Sequence, residues 1–354
     1  MNLLESTIRK ITPQDSAARE RARMRLGQLT MPYWALGRLM DLAEDLAGMT
    51  GSLKPPVIRK TVVTMAGDHG ITEEGVSKYP QEVTPQMVRN FVGGGAGSNV
   101  FARLVGARVV VVDMGVAGDL SDLAQDGRIL SKRIAAGTRN FAHGPAMTRD
   151  EAIRSVEAGI EIALSLEPST DLFGTGDMGI GNTTASSAIV SLFSGAPVAD
   201  VTGRGTGIDD EQRRHKIETI EKAIALNQPD PQDPLDVLAK VGGFEIGGIA
   251  GLILGAASTG KPVLVDGFIS TAGALIAARL SAPACDYMIA SHRSMEQGHR
   301  IALNCLGKIP LLDLDLRLGE GTGAALAMNL VEAAGRILTE VATFEEAAVS
   351  KADT

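Results

Sequence analysis

Several short apolar runs in this chain end in glycine-rich turns that open onto helix-forming stretches, and that pattern narrows the fold more than any other feature. Arg59–Ala66 (RKTVVTMA) runs into Gly67-Asp68-His69-Gly70, and Ala107–Met114 (ARVVVVDM) closes on Gly115. Thr170–Gly174 leads into GTGDMGIGNTT, after which Asn182–Ser194 reads as a helix. Lys261–Ile269 (KPVLVDGFI) precedes a helix over Ser270–Leu280, and Tyr287–His292 (YMIASH) is a further extended segment. Strands this apolar are covered on both faces, and their alternation with helices predicts a parallel sheet that works at the carboxyl ends of its strands. Composition agrees. Glycine supplies 41 of 354 residues, hydrophobic residues 44% and aromatic rings only 3%, which is enough apolar mass for a core and too few rings for a large β-sandwich. The glycines show no three-residue period, so a collagen-like helix is excluded.

The remaining segments read as helices and loops. Residues 1–50 are helical in pattern, with Ser16–Arg25 and Ala35–Ala47 separated at Pro32, and Lys54–Pro56 resembles a linker. Helices are expected over Pro85–Val92, over Glu151–Leu164 behind a Thr148/Glu151 capping box, over the charged stretch 211–226, over the buried run Gly247–Ser258 and over Gly323–Val341; Pro229–Pro234 reads as a loop. The first 50 residues and the last helix lie outside the strand–helix alternation. They are expected to form a small helical domain (residues 1–55 with 330–354) beside a large α/β domain (residues 56–329). The net charge of −8 argues against nucleic-acid or anionic-membrane partners. No run approaches the roughly 18 apolar residues of a membrane span. With only Cys285 and Cys305, no disulfide framework is expected, and the charged N-terminus lacks a secretory core, so a cytoplasmic protein is expected.

Four constellations carry possible chemistry. GTGDMGIGNTT (174–184) follows a strand and opens a helix, so it fits either an anion cradle or a tight turn where glycine permits close packing. It is not a Walker A loop, because no lysine follows its last glycine. GRGTGIDDEQRRHK (203–216) combines a free backbone with Arg204, Arg213, Arg214 and Lys216; Arg213 and Arg214 read as a solvated face, and one of the cations is expected to meet a phosphate. LDLDLRLGEGTGAAL (312–326) alternates Leu with Asp313, Asp315 and Arg317, as on a strand or extended segment, and sets Glu320 between Gly319 and Gly321. That suits a general base that must approach its substrate closely, or a helix-terminal carboxylate held by the dipole. Asp68-His69 fits a catalytic dyad, a metal pair or a hydrogen-bonded structural element; the other histidines do not complete a zinc pattern.

Together these segments resemble one family, the nicotinate-nucleotide–dimethylbenzimidazole phosphoribosyltransferases. The matching blocks are AGDHG (66–70), GVSKYPQEVT (75–84), GTRNFAHGPAMT (137–148), GDMGIGNTT (176–184), GRGTGIDD (203–210), GGFEIGGIAG (242–251), PVLVDGFISTAGAL (262–275), SHRS (291–294) with GH (298–299), and LDLDLRLGEGTGAALA (312–327). The resemblance implies a Rossmann-like parallel sheet of about six strands flanked by helices, with a small helical domain built from both termini. It implies transfer of 5-phosphoribosyl from nicotinate mononucleotide to a lower-ligand base of a cobamide, with inversion at the anomeric carbon. No cofactor or metal is implied, since the donor carries one phosphate and no diphosphate. Glu320 matches the family's catalytic glutamate. Asp177, Gly179, Gly181, Asn182, Thr183, Gly205, Lys216 and Ser294 match positions around the nucleotide and its phosphate, and Ser77, Tyr79 and Gln86 match the strip lining the acceptor pocket. The sequence departs from the family at Asp177, where the usual residue is Glu. Some relatives, occurring as paralogous pairs, accept a phenol instead of a benzimidazole. The implied acceptor is therefore a benzimidazole or a phenol, and the implied assembly a homodimer or a heterodimer with a paralogue.

Overall fold

A computed structural model describes residues 2–205 and 207–350 of the chain. Six parallel strands form one sheet: β1 (Lys60–Gly67), β2 (Arg108–Gly115), β3 (Leu130–Ser131), β4 (Leu172–Met178), β5 (Val263–Val265) and β6 (Met288–Ala290). Their spatial order is β3-β2-β1-β4-β5-β6. The chain builds outward from β1 to β3, then returns to the middle and builds outward the other way from β4. The order thus reverses between β1 and β4, and the crevice beyond their carboxyl ends is the site such a sheet offers a ligand. All eight residues of β1 are buried, as its Val- and Thr-rich sequence requires of a central strand covered on both faces.

The helix Phe244–Ala257 is buried along its whole length and lies on Arg149–Leu166. Small residues let the two backbones meet: a Cβ on Gly251 would stand 1.9 Å from the carbonyl oxygen of Val156. Arg149–Leu166 begins at the expected capping box, with the Thr148 hydroxyl accepting from the Glu151 N–H and the Glu151 carboxylate accepting from the Thr148 N–H. The last helix, Thr322–Glu340, packs against β1, β4 and β5 and against Arg38–Thr50. Residues 329 and 330, where a domain boundary is expected, both lie inside it. One continuous core joins Met40 and Leu46 of the N-terminal helices to Val62, Phe173, Ile253, Met328 and Leu338.

Several expectations need correction. The strand expected over Lys261–Ile269 is only Val263–Val265, because the Asp266 N–H leaves the ladder to donate to Thr175 Oγ1 and a helix starts at Phe268. The loop Pro229–Pro234 ends in a helix, Pro234–Val241, capped by Asp233 with proline in its first position. Residues 312–318 form no strand. They make a single bridge, His292 to Leu312, and Asp315 takes a positive φ. Helices Gly97–Leu104 and His299–Leu306 and the short edge strand β3 were not anticipated.

Candidate active site

The crevice is built where the loops after β1 and β4 touch. A Cβ on Gly179 would stand 2.2 Å from the Gly67 carbonyl oxygen, so the GDMGIGN loop lies directly on the β1 exit. Gly181 has φ of +94°, where glycine is at home, and no side chain caps the N-terminus of the helix Asn182–Ser194 that follows. Thr183, in its first turn, accepts a hydrogen bond of 2.7 Å from Lys216 Nζ. Burial pushes the Lys216 ammonium down to about 8, with Glu296 opposing. A Cβ on Gly205 would stand 3.2 Å from Thr183 Oγ1 and 3.6 Å from Lys216 Nζ, so this loop lies close over both. Beside them opens a cleft of about 670 Å³, bordered by Gly203, Gly205, Arg213, Glu296 and Arg317. That is an ordinary size for a small-molecule site.

Ser294 closes this end, and its backbone is fixed by a histidine. The Ser294 N–H donates to His299 Nδ1 at 2.8 Å, which leaves the ring proton on Nε2, facing Thr271 Oγ1 at 2.9 Å. Burial and the neighbouring His292 push His299 down to about 3, so it stays neutral and can accept. Arg213 is not the solvated residue expected. Its guanidinium donates to the carbonyls of Ala199 and Thr202 and so ties down the loop in front of Gly203.

Glu320 stands at the centre. It is 7% exposed and has φ of +65°, between Gly319 at +78° and Gly321 at +86°. Three consecutive left-handed residues make a tight, strained turn that two glycines ease and Glu320 does not. The turn is packed from below: a Cβ on Gly176 would stand 2.7 Å from the Glu320 carbonyl oxygen. Burial pushes the Glu320 carboxyl up to about 7; the Ser98 N–H on Gly97–Leu104 draws it down and Asp266 raises it further. Its Oε2 is buried and has no partner. Asp177, at the end of β4, accepts from the Asn182 side-chain amide at 3.2 Å through Oδ2, and its Oδ1 is buried without a partner. Burial, with Asp266, Glu245 and Glu320 nearby, pushes Asp177 well above the usual carboxylate range.

Under the β1–β4 loops lies a second buried pair, His69 Nε2 to Glu245 Oε1 at 2.6 Å, both side chains fully inaccessible. Burial opposes charge on the imidazole, and Glu245, helped by Asp68, outweighs it, so His69 is raised. The Asp68-His69 element is thus hydrogen-bonded structure, and among the described residues no cluster of His, Cys, Asp and Glu could hold a metal ion.

A model of the family described as Phosphoribosyltransferase matches residues 11–349. The nicotinate-nucleotide–dimethylbenzimidazole phosphoribosyltransferase of Syntrophotalea carbinolica is 66% identical over 351 residues, 99% of each chain. The protein of the same name from Geobacter sulfurreducens is 56% identical over the full length of both chains. The crystal structure of that enzyme from Thermus thermophilus matches with a TM-score of 0.89 at 46% identity, covering 95% of this chain and 99% of the other. The chain belongs to the phosphoribosyltransferase family.

In this phosphoribosyltransferase the candidate residues named from the sequence fall into three groups. Lys216, Thr183, Gly205 and Ser294 gather at the cleft end, while Glu320, Asp177, Gly179, Gly181 and Asn182 gather at the β4 end. The third group is looser. Ser77 is half-buried and Tyr79 and Gln86 are exposed. Gln86 shares the helix Val83–Gly93 with Thr84, whose hydroxyl accepts from the Ile180 N–H at 3.1 Å, and Ser77 and Tyr79 lie in the loop before it. Sequence reasoning missed Asp266, Glu245, His292 and Glu296. A signal was present for Asp266, since four of the six strands run into an aspartate: Asp68, Asp113, Asp177 and Asp266. No helix of the described residues is long and apolar enough to cross a membrane.

Proposed function

We propose that this enzyme transfers the 5-phosphoribosyl group of nicotinate mononucleotide to a ring nitrogen of a dimethylbenzimidazole-type base, as a step in making the lower ligand of a cobamide. One observation carries the reading: a buried carboxyl with a free oxygen and a pKa near 7, Glu320, sits on a strained glycine turn at the sheet's switch point, next to a lysine-and-threonine anion site. The phosphate of the donor lies against Lys216, Thr183 and the backbones of Gly179, Gly181, Asn182 and Gly205, with Ser294 beside it. A lysine at about 8 is largely protonated at neutral pH, and a phosphate dianion raises it further.

The acceptor nitrogen attacks the anomeric carbon from the face opposite nicotinate. The carbon–nitrogen bond to nicotinate breaks, and its electron pair neutralises the pyridinium ring. The azole N–H proton passes to the Glu320 carboxylate, giving an α-riboside phosphate and nicotinate. A base whose pKa lies near the working pH is matched to this step. The buried carboxylates also face the positive charge that develops on the ribose. Asp177 addresses the ribose hydroxyls, and Ser77, Tyr79 and Gln86 line the acceptor's approach. We place the enzyme in the cytoplasm, working as a dimer.

The test is nicotinate release from nicotinate mononucleotide with dimethylbenzimidazole, adenine or phenol as acceptor, measured on the purified chain alone. Release that depends on an azole supports the reading. Release with phenol in preference assigns the acceptor differently. No acceptor-dependent release sinks it.

A further inference from the structure

Glu320 belongs to a turn closed on itself only at Gly319, whose carbonyl accepts from the Thr322 N–H at 3.0 Å and the Thr322 hydroxyl at 2.8 Å. The helix Thr322–Glu340 starts at Gly321, which has no side chain to cap the first turn. The cap arrives from a distant strand end. Asp266, just beyond β5, accepts from the Gly321 N–H at 3.1 Å through Oδ2 and from the Ala324 N–H at 2.9 Å through Oδ1. Asp266 is itself locked: its N–H donates to Thr175 Oγ1 at 3.0 Å, and its carbonyl accepts from the Ser291 hydroxyl at 3.0 Å. One carboxylate thus holds both Gly321, the last of the three positive-φ residues 319–321, and the first turn of the helix that follows.

We propose that Asp266 is a positioning residue for Glu320, holding the base on its turn and setting its charge through its own negative charge. The inference rests on the reading of Glu320 as the base. The groups facing Glu320 come from five elements. Asp266 follows β5 and Asp177 ends β4. His292, after β6, stands behind Asp266, its Nε2 3.7 Å from Oδ1. The helix Gly97–Leu104 presents the Ser98 N–H to the carboxyl, and β1 presents the Thr64 hydroxyl, 3.4 Å from the Glu320 carbonyl oxygen. Arg317, earlier in the same loop, is exposed. Burial pushes the Asp266 carboxyl up, and the neighbouring His292 and the backbone N–H groups that it accepts oppose that shift; Asp266 is the one carboxylate of this set whose two oxygens are both taken by backbone N–H groups, which favours its ionised form. A like charge held beside a base raises the base.

The two roles separate in two variants. Asp266→Asn keeps one acceptor and loses the charge. Turnover is expected to fall at least tenfold, with the nucleotide KM moving less than threefold. The acid limb of the kcat/KM profile is expected to move down by about one pH unit. Asp266→Glu keeps the charge and displaces the acceptors: turnover falls, while the limb stays where the unaltered enzyme has it. An Asp266→Asn enzyme with an unmoved acid limb overturns the proposal, and so does an Asp266→Glu enzyme with full turnover, which remains readable if the asparagine variant does not fold. Glu320→Gln, assayed alongside, distinguishes the two failures: if that variant retains turnover, the reading of Glu320 as the base has failed and not the positioning by Asp266.

Discussion

Replacing Glu320 by glutamine should make the protein more stable and nearly inactive, and both effects follow from the same buried carboxyl. In the folded chain its pKa is raised from 4.5 to about 7. An acid raised on folding costs stability wherever the folded group must ionise. The cost is absent below pH 4.5 and complete above about pH 7. The difference, 7 − 4.5 = 2.5 units, corresponds to about 3 kcal/mol. Glutamine keeps the shape, has Asp177 and Asp266 as neighbours for its new amide N–H groups, and carries no charge to desolvate. Urea unfolding at one fixed protein concentration should therefore place Glu320→Gln above the unaltered protein by about 3 kcal/mol at pH 8 and by about 1 kcal/mol at pH 5. Nicotinate release at pH 8 should fall by about 10²–10⁴. A stability gap that is the same at both pH values would show that Glu320 is not raised by the fold. Turnover within tenfold of the unaltered enzyme would show that it is not the base.

Three further outcomes test the surroundings. Lys216→Met should raise the nucleotide KM by tenfold or more, from a lost charge-assisted bond worth about 1.5–3 kcal/mol, and move kcat less; in the unaltered enzyme the same KM should climb above about pH 8 as Lys216 loses its proton, and a flat KM in either experiment removes the lysine from the phosphate. Gly176→Ala should lower kcat by up to about a hundredfold at nearly constant KM, because the added methyl meets the Glu320 carbonyl oxygen at 2.7 Å and shifts the base; unchanged kcat would mean the turn absorbs the contact. Glu245→Gln should cost about 3 kcal/mol in urea unfolding, since it leaves His69 buried without its counter-ion; an unshifted midpoint would mean the pair contributes nothing.

The parts of this structure that were legible in the sequence are those decided by neighbours along the chain. Ala107–Met114 reads as a strand because Val109–Val112 has no other use, and the strand found is Arg108–Gly115; Asn182–Ser194 starts where the glycine loop ends, residue for residue. Glu320 was legible because two glycines flank it, and its backbone φ shows what they are for. What was not legible depends on partners far away in the chain. The short β5 results from a hydrogen bond between residues 91 apart, and the His69–Glu245 pair joins residues 176 apart. Arg213 looked solvated because its helix is charged, yet its guanidinium reaches back 11 and 14 residues to two carbonyls.

The aspartates at the strand ends show why the site needed three dimensions to be sorted. Asp68, Asp113, Asp177 and Asp266 all lie near the carboxyl ends of strands, Asp113 and Asp177 in the last residues of β2 and β4, Asp68 and Asp266 just beyond β1 and β5. Asp68 accepts from the Ala117 N–H, Asp113 from those of Gly115 and Val116, and Asp266 from those of Gly321 and Ala324. Those three carboxylates hold loops in place through the backbone. Asp177 alone takes no backbone N–H among the described residues. It has one amide from Asn182 and an empty Oδ1. A buried carboxyl raised well above its usual range and left with a free oxygen is costly unless a ligand completes it. Asp68 and Glu245 each keep one oxygen without a partner too, but the raised His69 stands beside both and offsets their charge. Glu320 Oε2 has no such cation, and its turn lies over the β4 end that carries Asp177. The two buried carboxyls that a folding argument leaves unexplained are therefore neighbours, and the reacting ribose is the group that would explain both.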